Sequence, residues 1–323
     1  MSFLADIQTG LTRYGMSTYL VFGNIGNIIN VFVFYRKEYR KNSCSRYLLI
    51  ASFINIFIIN YGMIPTLYSL DHPNPELYLL AFCKLRLYLL HSALMISRSL
   101  VVFACLDRCA LSCTSLYIRS YCQIKVAVRV IVCVIITWPI ISLHIPILLT
   151  IQSGRCSTFG TYSFVYSIYS FLVAGTLPPT LMIIFGLKTM RNLRLIHNRV
   201  RTNDDVTYIR IRRRDYSLMI MLLWEVIVYI FSTTPYPIQT LYLTVTSNLA
   251  KTTLRLQIES FITYMAYSFL IYINSASTFY VYFCTSRNFR KECRRLFQRN
   301  SERTSLVTRN VPINRIANTI PQS

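Results

Sequence analysis

Charged residues are scarce in this sequence: they account for 14% of its 323 residues, whereas hydrophobic residues account for 54%. The mean hydropathy is correspondingly high, at +0.42. A soluble globular domain of this length carries more charge and fewer apolar residues. The composition therefore excludes an ordinary soluble domain and predicts a membrane protein.

Two further absences narrow the function. No Asn-x-Ser/Thr sequence occurs, so the usual mark of an exposed, glycosylated ectodomain is missing. No metal-ligand spacing and no catalytic constellation is evident, and the four histidines are scattered (His72, His91, His144 and His197). We therefore expect a protein that is not an enzyme and that uses no metal and no cofactor.

Seven apolar stretches are long enough to cross about 30 Å of hydrocarbon. They must be helices, because every backbone polar group within lipid has to be satisfied inside its own segment. We predict an all-α membrane protein, with residues 1–13 outside and a seven-transmembrane helix bundle over residues 14–284. The predicted spans are Tyr14–Tyr35, Tyr47–Leu70, Ala81–Cys113, Ile124–Thr150, Tyr162–Met190, Tyr216–Thr246 and Gln257–Cys284.

The net charge of +22 would suggest a nucleic-acid partner in a soluble protein, but here its distribution matters more than its sum. With residues 1–13 outside, the basic residues concentrate on the inner side, starting with the first inner loop (Arg36, Lys37, Arg40, Lys41 and Arg46). The positive-inside rule then predicts a multi-pass plasma-membrane protein with its amino terminus outside and its carboxyl terminus in the cytosol. The charge also attracts anionic membrane lipids, and no nucleic-acid partner is expected.

Only two of the ten cysteines, Cys83 and Cys156, fall on the outer, oxidising side under this topology. We predict a disulfide between them, which would tie the loop between the fourth and fifth spans over the end of the third. Two free thiols at a polar boundary are the alternative. The other cysteines are predicted to be packing residues rather than ligands.

The third span ends in Asp107-Arg108-Cys109, and Arg108 follows Cys83 by 25 residues, which places the two at opposite membrane faces. Further motifs occur in chain order: Gly26-Asn27, Trp138, Pro178 or Pro179, Pro235, and Tyr282 before Arg287-Asn288-Phe289-Arg290-Lys291. In these motifs nearly the whole chain resembles the rhodopsin-like G protein-coupled receptors. In general character it is similar to divergent invertebrate orphan receptors near the neuropeptide receptors.

The resemblance implies a receptor that binds an extracellular ligand and activates a heterotrimeric G protein. Three positions depart from the family pattern. Asn55 stands in place of the aspartate of the second span, Thr278 begins the segment that is usually Asn-Pro-x-x-Tyr, and Thr233 replaces the tryptophan of the sixth span. The carboxylate that would hold sodium is absent, so we expect a different internal switch.

Arg108 needs a counter-charge, and Asp107 supplies one. The resemblance implies a second, Asp215, at the inner start of the sixth span. Opening of that span would free Arg108 to face the G protein, with Tyr282 as part of the same switch. The alternative for Asp215 is a solvated acid that follows three arginines.

Arg98 and Glu225 lie within apolar spans, where an isolated charge is costly. We predict that they pair across the bundle. The pair would form part of an internal polar network, whose other predicted members are Asn27, Asn55, Asn274 and Ser275. The alternative is that Arg98 contacts backbone carbonyls and that Glu225 is protonated.

The resemblance places the ligand among the outer halves of spans three, five, six and seven. Leu90 and Tyr272 stand where amine receptors have an aspartate and opsins a lysine, which argues against a monoamine or retinal. Charges of both signs at the mouth favour a short peptide. The candidate ligand-binding residues are Tyr88, His91, Tyr236, Gln239, Tyr242 and Tyr264, for which an interfacial aromatic belt is the alternative.

Residues 285–298 alternate apolar and basic side chains and are predicted to form a short amphipathic eighth helix on the membrane surface. Cys293 within it is a candidate for palmitoylation. The remaining segment, 299–323, is predicted to be a cytoplasmic tail whose Ser and Thr residues accept phosphate from a receptor kinase and recruit arrestin.

A transporter or channel is the alternative function, because it would also explain seven spans and an arginine within the membrane. Such proteins typically carry paired helix breaks in two repeated halves, and no internal repeat is visible here.

Overall fold

The computed structural model of the chain describes residues 3–113, 115–152, 155–199, 206–247, 249–296 and 298, without the side chains of residues 38, 152, 155 and 193–215. Within that part, seven helices are long and apolar enough to cross a membrane, which confirms the predicted seven-helix bundle. We call them spans one to seven. Their bounds are Phe3–Tyr35, Ser43–Tyr68, Leu80–Leu111, Ile124–Leu148, Gly160–Asn192, Tyr216–Val245 and Thr253–Thr285.

Span one begins much earlier than the sequence predicted. Residues 1–13 were expected to precede it, yet the chain is helical from Phe3 and continues through a π-helical segment, Leu11–Met16. This segment packs against span seven: the Thr12 hydroxyl donates a hydrogen bond to the Tyr264 hydroxyl at 2.8 Å, and Met16 is fully buried. The prediction missed this extension because the contact, not an apolar run, stabilises it.

A small hairpin follows span four. Strands β1 (Thr150–Gln152) and β2 (Arg155–Ser157) pair antiparallel, with Ile151 opposite Cys156. Cys156 forms the predicted disulfide with Cys83 near the start of span three, with the two Cα atoms 5.9 Å apart. We call this end of the bundle the disulfide face, and the opposite end, which carries Arg108, the arginine face.

Short helices border both faces. Pro75–Tyr78 lies between spans two and three, while Lys37–Arg40, Leu116–Ser120 and residues 287–296 lie at the arginine face. Residues 287–296 correspond to the predicted eighth helix. This helix is anchored by fully buried Phe289 and by an ion pair of 2.8 Å between Arg36 and Glu292.

Spans five, six and seven depart from regular α-helix. Span five contains a π-helical segment, Ser170–Thr176, directly before its two consecutive prolines. Span six is interrupted at Thr234, where Pro235 starts a new helix, since proline has no N–H to continue the hydrogen-bond ladder. Span seven passes through a π-helical and a 3₁₀ turn between residues 265 and 272. These irregular turns are the positions where the spans can bend.

Span three is the centre of the bundle. Its most apolar window is 72% buried, whereas the corresponding window of span four is only 22% buried. The main apolar cluster joins span three to spans one, two, five, six and seven around residues such as Leu48, Leu100 and Leu222. Most side chains near the middle of span three are therefore enclosed by other helices.

Removal of the disulfide by Cys83→Ser or Cys156→Ser should lower the melting temperature of the purified protein by roughly 5 °C, because the bridge fixes a long loop to span three. Thermal unfolding in detergent measures this shift. Cys133→Ala, at an exposed free thiol, is the matched control and should leave it unchanged. Equal stability of all three variants would contradict a stabilising role for the bridge.

Candidate functional site

The centre of the arginine face is a buried ion pair. Arg108 and Asp107 are only 3% and 8% exposed, and the Arg108 Nη2 and Nε atoms donate to Asp107 Oδ2 at 2.5 and 3.1 Å. Arg108 Nη2 also donates to Asn42 Oδ1 at 2.8 Å. The same Asn42 oxygen accepts from the backbone N–H of Cys44 and so caps span two. Arg108 is thereby bound both to its own helix and to the start of span two.

Sequence reasoning missed Asn42. The available signal was an asparagine a few residues before the apolar run of span two, because asparagine is a common N-cap residue. A cap accounts for one bond to the Asn42 oxygen, but nothing in the sequence shows that Arg108 supplies a second. Asp215, the other predicted partner of Arg108, lies in the helix Val206–Thr233, but its side chain is outside the described residues.

A second buried contact joins spans six and seven. The Tyr282 hydroxyl donates to Glu225 Oε2 at 2.5 Å, and these residues are 1% and 4% exposed. The Tyr282 ring packs against Phe34 and Phe289, with centroid distances of 6.0 and 5.8 Å. The neighbouring Trp224 is 50% exposed and points away from the bundle. Tyr282 therefore links span six to span one and to the helix at residues 287–296.

The predicted ion pair between Arg98 and Glu225 is wrong. Arg98 lies over the ring of Tyr229, with Cζ 5.3 Å from the centroid, and its Nη1 lies 3.7 Å from the Met95 sulfur. Glu225 lies one helical turn before Tyr229 and accepts its hydrogen bond from Tyr282 instead. The two charged side chains therefore contact different neighbours.

A polar network crosses the middle of the bundle. Asn55 accepts a hydrogen bond from Ser97 Oγ at 2.8 Å and donates to Thr278 Oγ1 at 3.4 Å. The amide of Asn27 donates to the backbone carbonyl of Ser275 at 2.9 Å. The network connects spans one, two, three and seven. Four predicted residues belong to it: Asn27 and Asn55 through their side chains, and Asn274 and Ser275 through their backbone carbonyls.

Part of the predicted ligand region forms an aromatic cluster on the disulfide side. A ring nitrogen of His91 and the Tyr169 hydroxyl are 3.1 Å apart, and the hydroxyls of Tyr166 and Tyr236 are 2.9 Å apart. The Tyr236 ring lies 4.6 Å from that of Tyr267. Spans three, five, six and seven all contribute. Sequence reasoning named His91 and Tyr236 but missed the three partner tyrosines, because nothing in their spacing distinguishes them from belt residues.

The other four candidate ligand residues do not join this cluster. Each forms its own contact between helices: Tyr88 with the Pro139 carbonyl at 3.2 Å, Gln239 with Thr263 at 3.1 Å, Tyr242 with Glu259 at 2.8 Å, and Tyr264 with Thr12 at 2.8 Å. Of the six predicted residues, His91 and Tyr236 therefore share the aromatic cluster, and the other four form separate contacts.

The charges at the disulfide face largely pair with one another. Glu259 forms ion pairs with Lys251 at 2.6 Å and Arg255 at 2.9 Å. Two more pairs join different segments: Arg13 with Asp71 at 2.7 Å, and Arg86 with Glu76. The mouth therefore presents both signs of charge as compact pairs.

A groove opens on the outside of spans three, four and five, with a volume of about 500 Å³. Its lining is almost entirely apolar, and the Trp138 indole N–H within it donates to Ser99 Oγ at 2.7 Å. Arg129 lies at its end nearer the arginine face. An almost entirely apolar lining is typical of a helix surface that faces lipid.

The lipidation prediction for Cys293 receives no support from its surroundings. The side chain is 2% exposed, and burial, with a smaller effect of Glu292, raises the pKa of the thiol to about 11. A buried, protonated thiol is a poor nucleophile. In this region Cys284 is the exposed free cysteine.

No known protein-family model matches this chain, and no curated protein is detectably similar to it. Its functional assignment must therefore come from the arrangement of its own residues.

Tyr282→Phe should lower the stability of the protein by about 1–3 kcal/mol, because Glu225 would be left buried without its hydrogen-bond donor. Thermal unfolding of the purified protein measures the loss. Tyr280→Phe is the matched control: its hydroxyl donates to the Phe22 carbonyl at 3.0 Å, but the residue is exposed. A loss of the same size in both variants would show that the hydrogen bond to Glu225 stabilises the protein no more than an exposed one.

Proposed function

We propose that this chain is a rhodopsin-like G protein-coupled receptor of the plasma membrane, with its amino terminus outside and its carboxyl terminus in the cytosol. It binds an extracellular ligand and activates a heterotrimeric G protein. The arginine face is then the cytosolic face that the G protein meets, and the disulfide face receives the ligand. A receptor kinase and arrestin would act on the segment 299–323.

One observation carries the proposal. Span three bears a disulfide to the loop after span four at one end, and at the other the buried cluster of Arg108, Asp107 and Asn42. The 25 residues between Cys83 and Arg108 extend about 37 Å, which is long enough to put the cluster and the bridge on opposite sides of a bilayer. An arginine that is held in a buried ion pair at the cytosolic side can be released to contact, and so activate, a partner that binds there.

The proposed activation step is an opening of span six. Its part on the arginine face ends at Thr233, and the interruption before Pro235 lets this part move separately. Movement away from span seven breaks the hydrogen bond between Glu225 and Tyr282. It also vacates the space beside Arg108, which can then exchange its present partners for the G protein. Asp215 would act as a further latch on Arg108 in the closed state.

The ligand is proposed to be a short peptide. The aromatic cluster around His91 and Tyr236 lies below the disulfide face and joins spans three, five, six and seven. Above it, the compact ion pairs of Glu259 and Asp71 offer carboxylates and cations to a zwitterionic ligand. Tyr236 follows the interruption in span six directly, so a ligand that moves Tyr236 acts on the hinge itself.

A transporter or channel is the second candidate. The observation that favours it is the pair of ionisable groups enclosed within the bundle, Arg98 and Glu225, because such groups often mark ion and proton paths. A measurable ion flux through liposomes that contain the purified protein, without any stimulation of nucleotide exchange, would favour this alternative.

The coupling test uses the full chain in lipid nanodiscs with a panel of purified G proteins. Asp107→Asn should raise basal nucleotide exchange by roughly fivefold or more, because Arg108 loses its anionic partner in the closed state. Arg108→Gln should abolish exchange. Arg13→Gln removes an arginine of an exposed ion pair at the other face and is the matched control. If no G protein responds to the parent chain or to Asp107→Asn, the proposal fails.

The proposed orientation is tested separately with epitope tags before Met1 and after Ser323. Antibody should label the first tag on intact cells, and the second only after permeabilisation, since the Lys and Arg residues are concentrated in the segments that the proposed topology assigns to the inner side. Permeabilised cells labelled at both tags are the control for expression. A carboxyl-terminal tag that is accessible on intact cells would reverse the topology and exclude cytosolic G protein coupling at Arg108.

A further inference from the structure

The middle of the bundle contains a positively charged side chain, Arg98, that no described neighbour neutralises. Arg98 is 6% exposed, and its guanidinium contacts the face of Tyr229 and the sulfur of Met95. Neither Asp107 nor Glu225 compensates it, because the first is bound to Arg108 and the second to Tyr282. Among the described residues, no carboxylate forms an ion pair with Arg98.

An aromatic face attracts a guanidinium, but it replaces little of the hydration that the ion loses on burial. The guanidinium has five N–H donors, and a ring face and a thioether sulfur are weak acceptors for them. Many buried ionisable groups become neutral and so avoid the cost of a buried charge. Arginine cannot do this, because it stays protonated even when it is buried. A further partner for the guanidinium is therefore required.

A small cavity lies beside this guanidinium. About 10 Å³ of it is open to the centre of a water-sized sphere, which leaves room for one small species. The walls come from spans three, six and seven: Leu94, Ser97, Arg98, Thr233, Ile271, Asn274 and Ser275. A space of this size suits a single water molecule or a monatomic ion.

Several polar side chains of this cavity have hydrogen-bonding capacity that the described residues leave unused. The Ser275 hydroxyl forms no hydrogen bond within the described part of the chain, and that of Thr233 has only Ser232 as a partner, at 3.5 Å. Asn274 Oδ1 is buried without a partner. Because the oxygen and nitrogen of an amide are exchanged by a flip of the side chain, the amide of Asn274 can also present N–H groups to the cavity.

We propose that this cavity binds one halide ion, chloride in the cell, as the counter-ion of Arg98. A single halide fits the volume, neutralises the charge, and accepts from the guanidinium and from the Thr233 and Ser275 hydroxyls. A water molecule satisfies hydrogen bonds but leaves the positive charge in place. The halide would join spans three, six and seven at the level of the interruption in span six. The proposal is independent of G protein coupling, because binding is measured on the purified protein alone.

A structure of the full chain determined in sodium bromide gives the first test. Bromide scatters anomalously, so the bound ion is distinguished from water at the same position. We expect an anomalous peak within hydrogen-bonding distance of the Arg98 guanidinium. Density in the cavity without an anomalous signal would identify water and overturn the proposal.

Thermal unfolding gives the second test. At equal ionic strength, the melting temperature should be about 2–4 °C higher in sodium chloride than in sodium gluconate, whose anion is too large for the cavity. Arg98→Met should remove this difference. Ser275→Val, which keeps the arginine but fills the cavity, should remove it as well, so the test does not depend on one variant that might misfold.

Arg13→Met is the matched control, since it removes an exposed arginine at the disulfide face and should keep the full chloride effect. Equal melting temperatures of the parent chain in the two salts would overturn the proposal. So would a chloride effect that persists in both Arg98→Met and Ser275→Val, because the stabilising ions would then bind elsewhere on the protein.

Discussion

A charged side chain between membrane helices has lost its water, and it persists only where neighbouring groups replace that hydration. Three residues of this bundle meet the requirement differently. Arg108 has a carboxylate and an amide oxygen, Glu225 has a phenolic hydroxyl, and Arg98 has an aromatic face and a small polar cavity. Each arrangement joins a different set of helices. The relative positions of the spans are therefore tied to the satisfaction of these charges.

The interruption in span six separates two differently anchored halves. On one side, Glu225 is bound to Tyr282 of span seven, and on the other, Tyr236 is bound to Tyr166 of span five. Thr234 lies between the two anchors, where the helix is broken before Pro235. A change at either anchor can shift its own half without disrupting the other. The two halves of span six can therefore move separately about Thr234.

The seven spans could be predicted from the sequence because each depends on composition and length alone. The disulfide followed from topology, since only Cys83 and Cys156 remained on one side. The start of span one could not be predicted, because the helix from Phe3 depends on packing against Tyr264, far away in sequence. In general, contacts between residues that are far apart in the sequence could not be predicted.

The polar residues illustrate the same limit. Sequence reasoning identified Arg98 and Glu225 as unusual and Tyr282 as part of the switch, and all three are buried between helices. It paired the two charges by sign and depth, yet Glu225 is bound by Tyr282 and Arg98 turns to Tyr229. Depth is set by residue number, but the direction of a side chain around its helix depends on how the helices pack.

The side chains of Trp224 and Glu225 lie on different sides of span six, and this restricts how the helix can move. Consecutive residues point about 100° apart around a helix, and here the indole faces outward while the carboxyl group faces inward. A turn of the helix about its long axis would carry the carboxyl group towards hydrocarbon, where it has no donor, and would force the bulky indole between helices. Rotation about the helix axis is therefore unfavourable at both residues. A tilt of the whole segment about Thr234 costs less free energy.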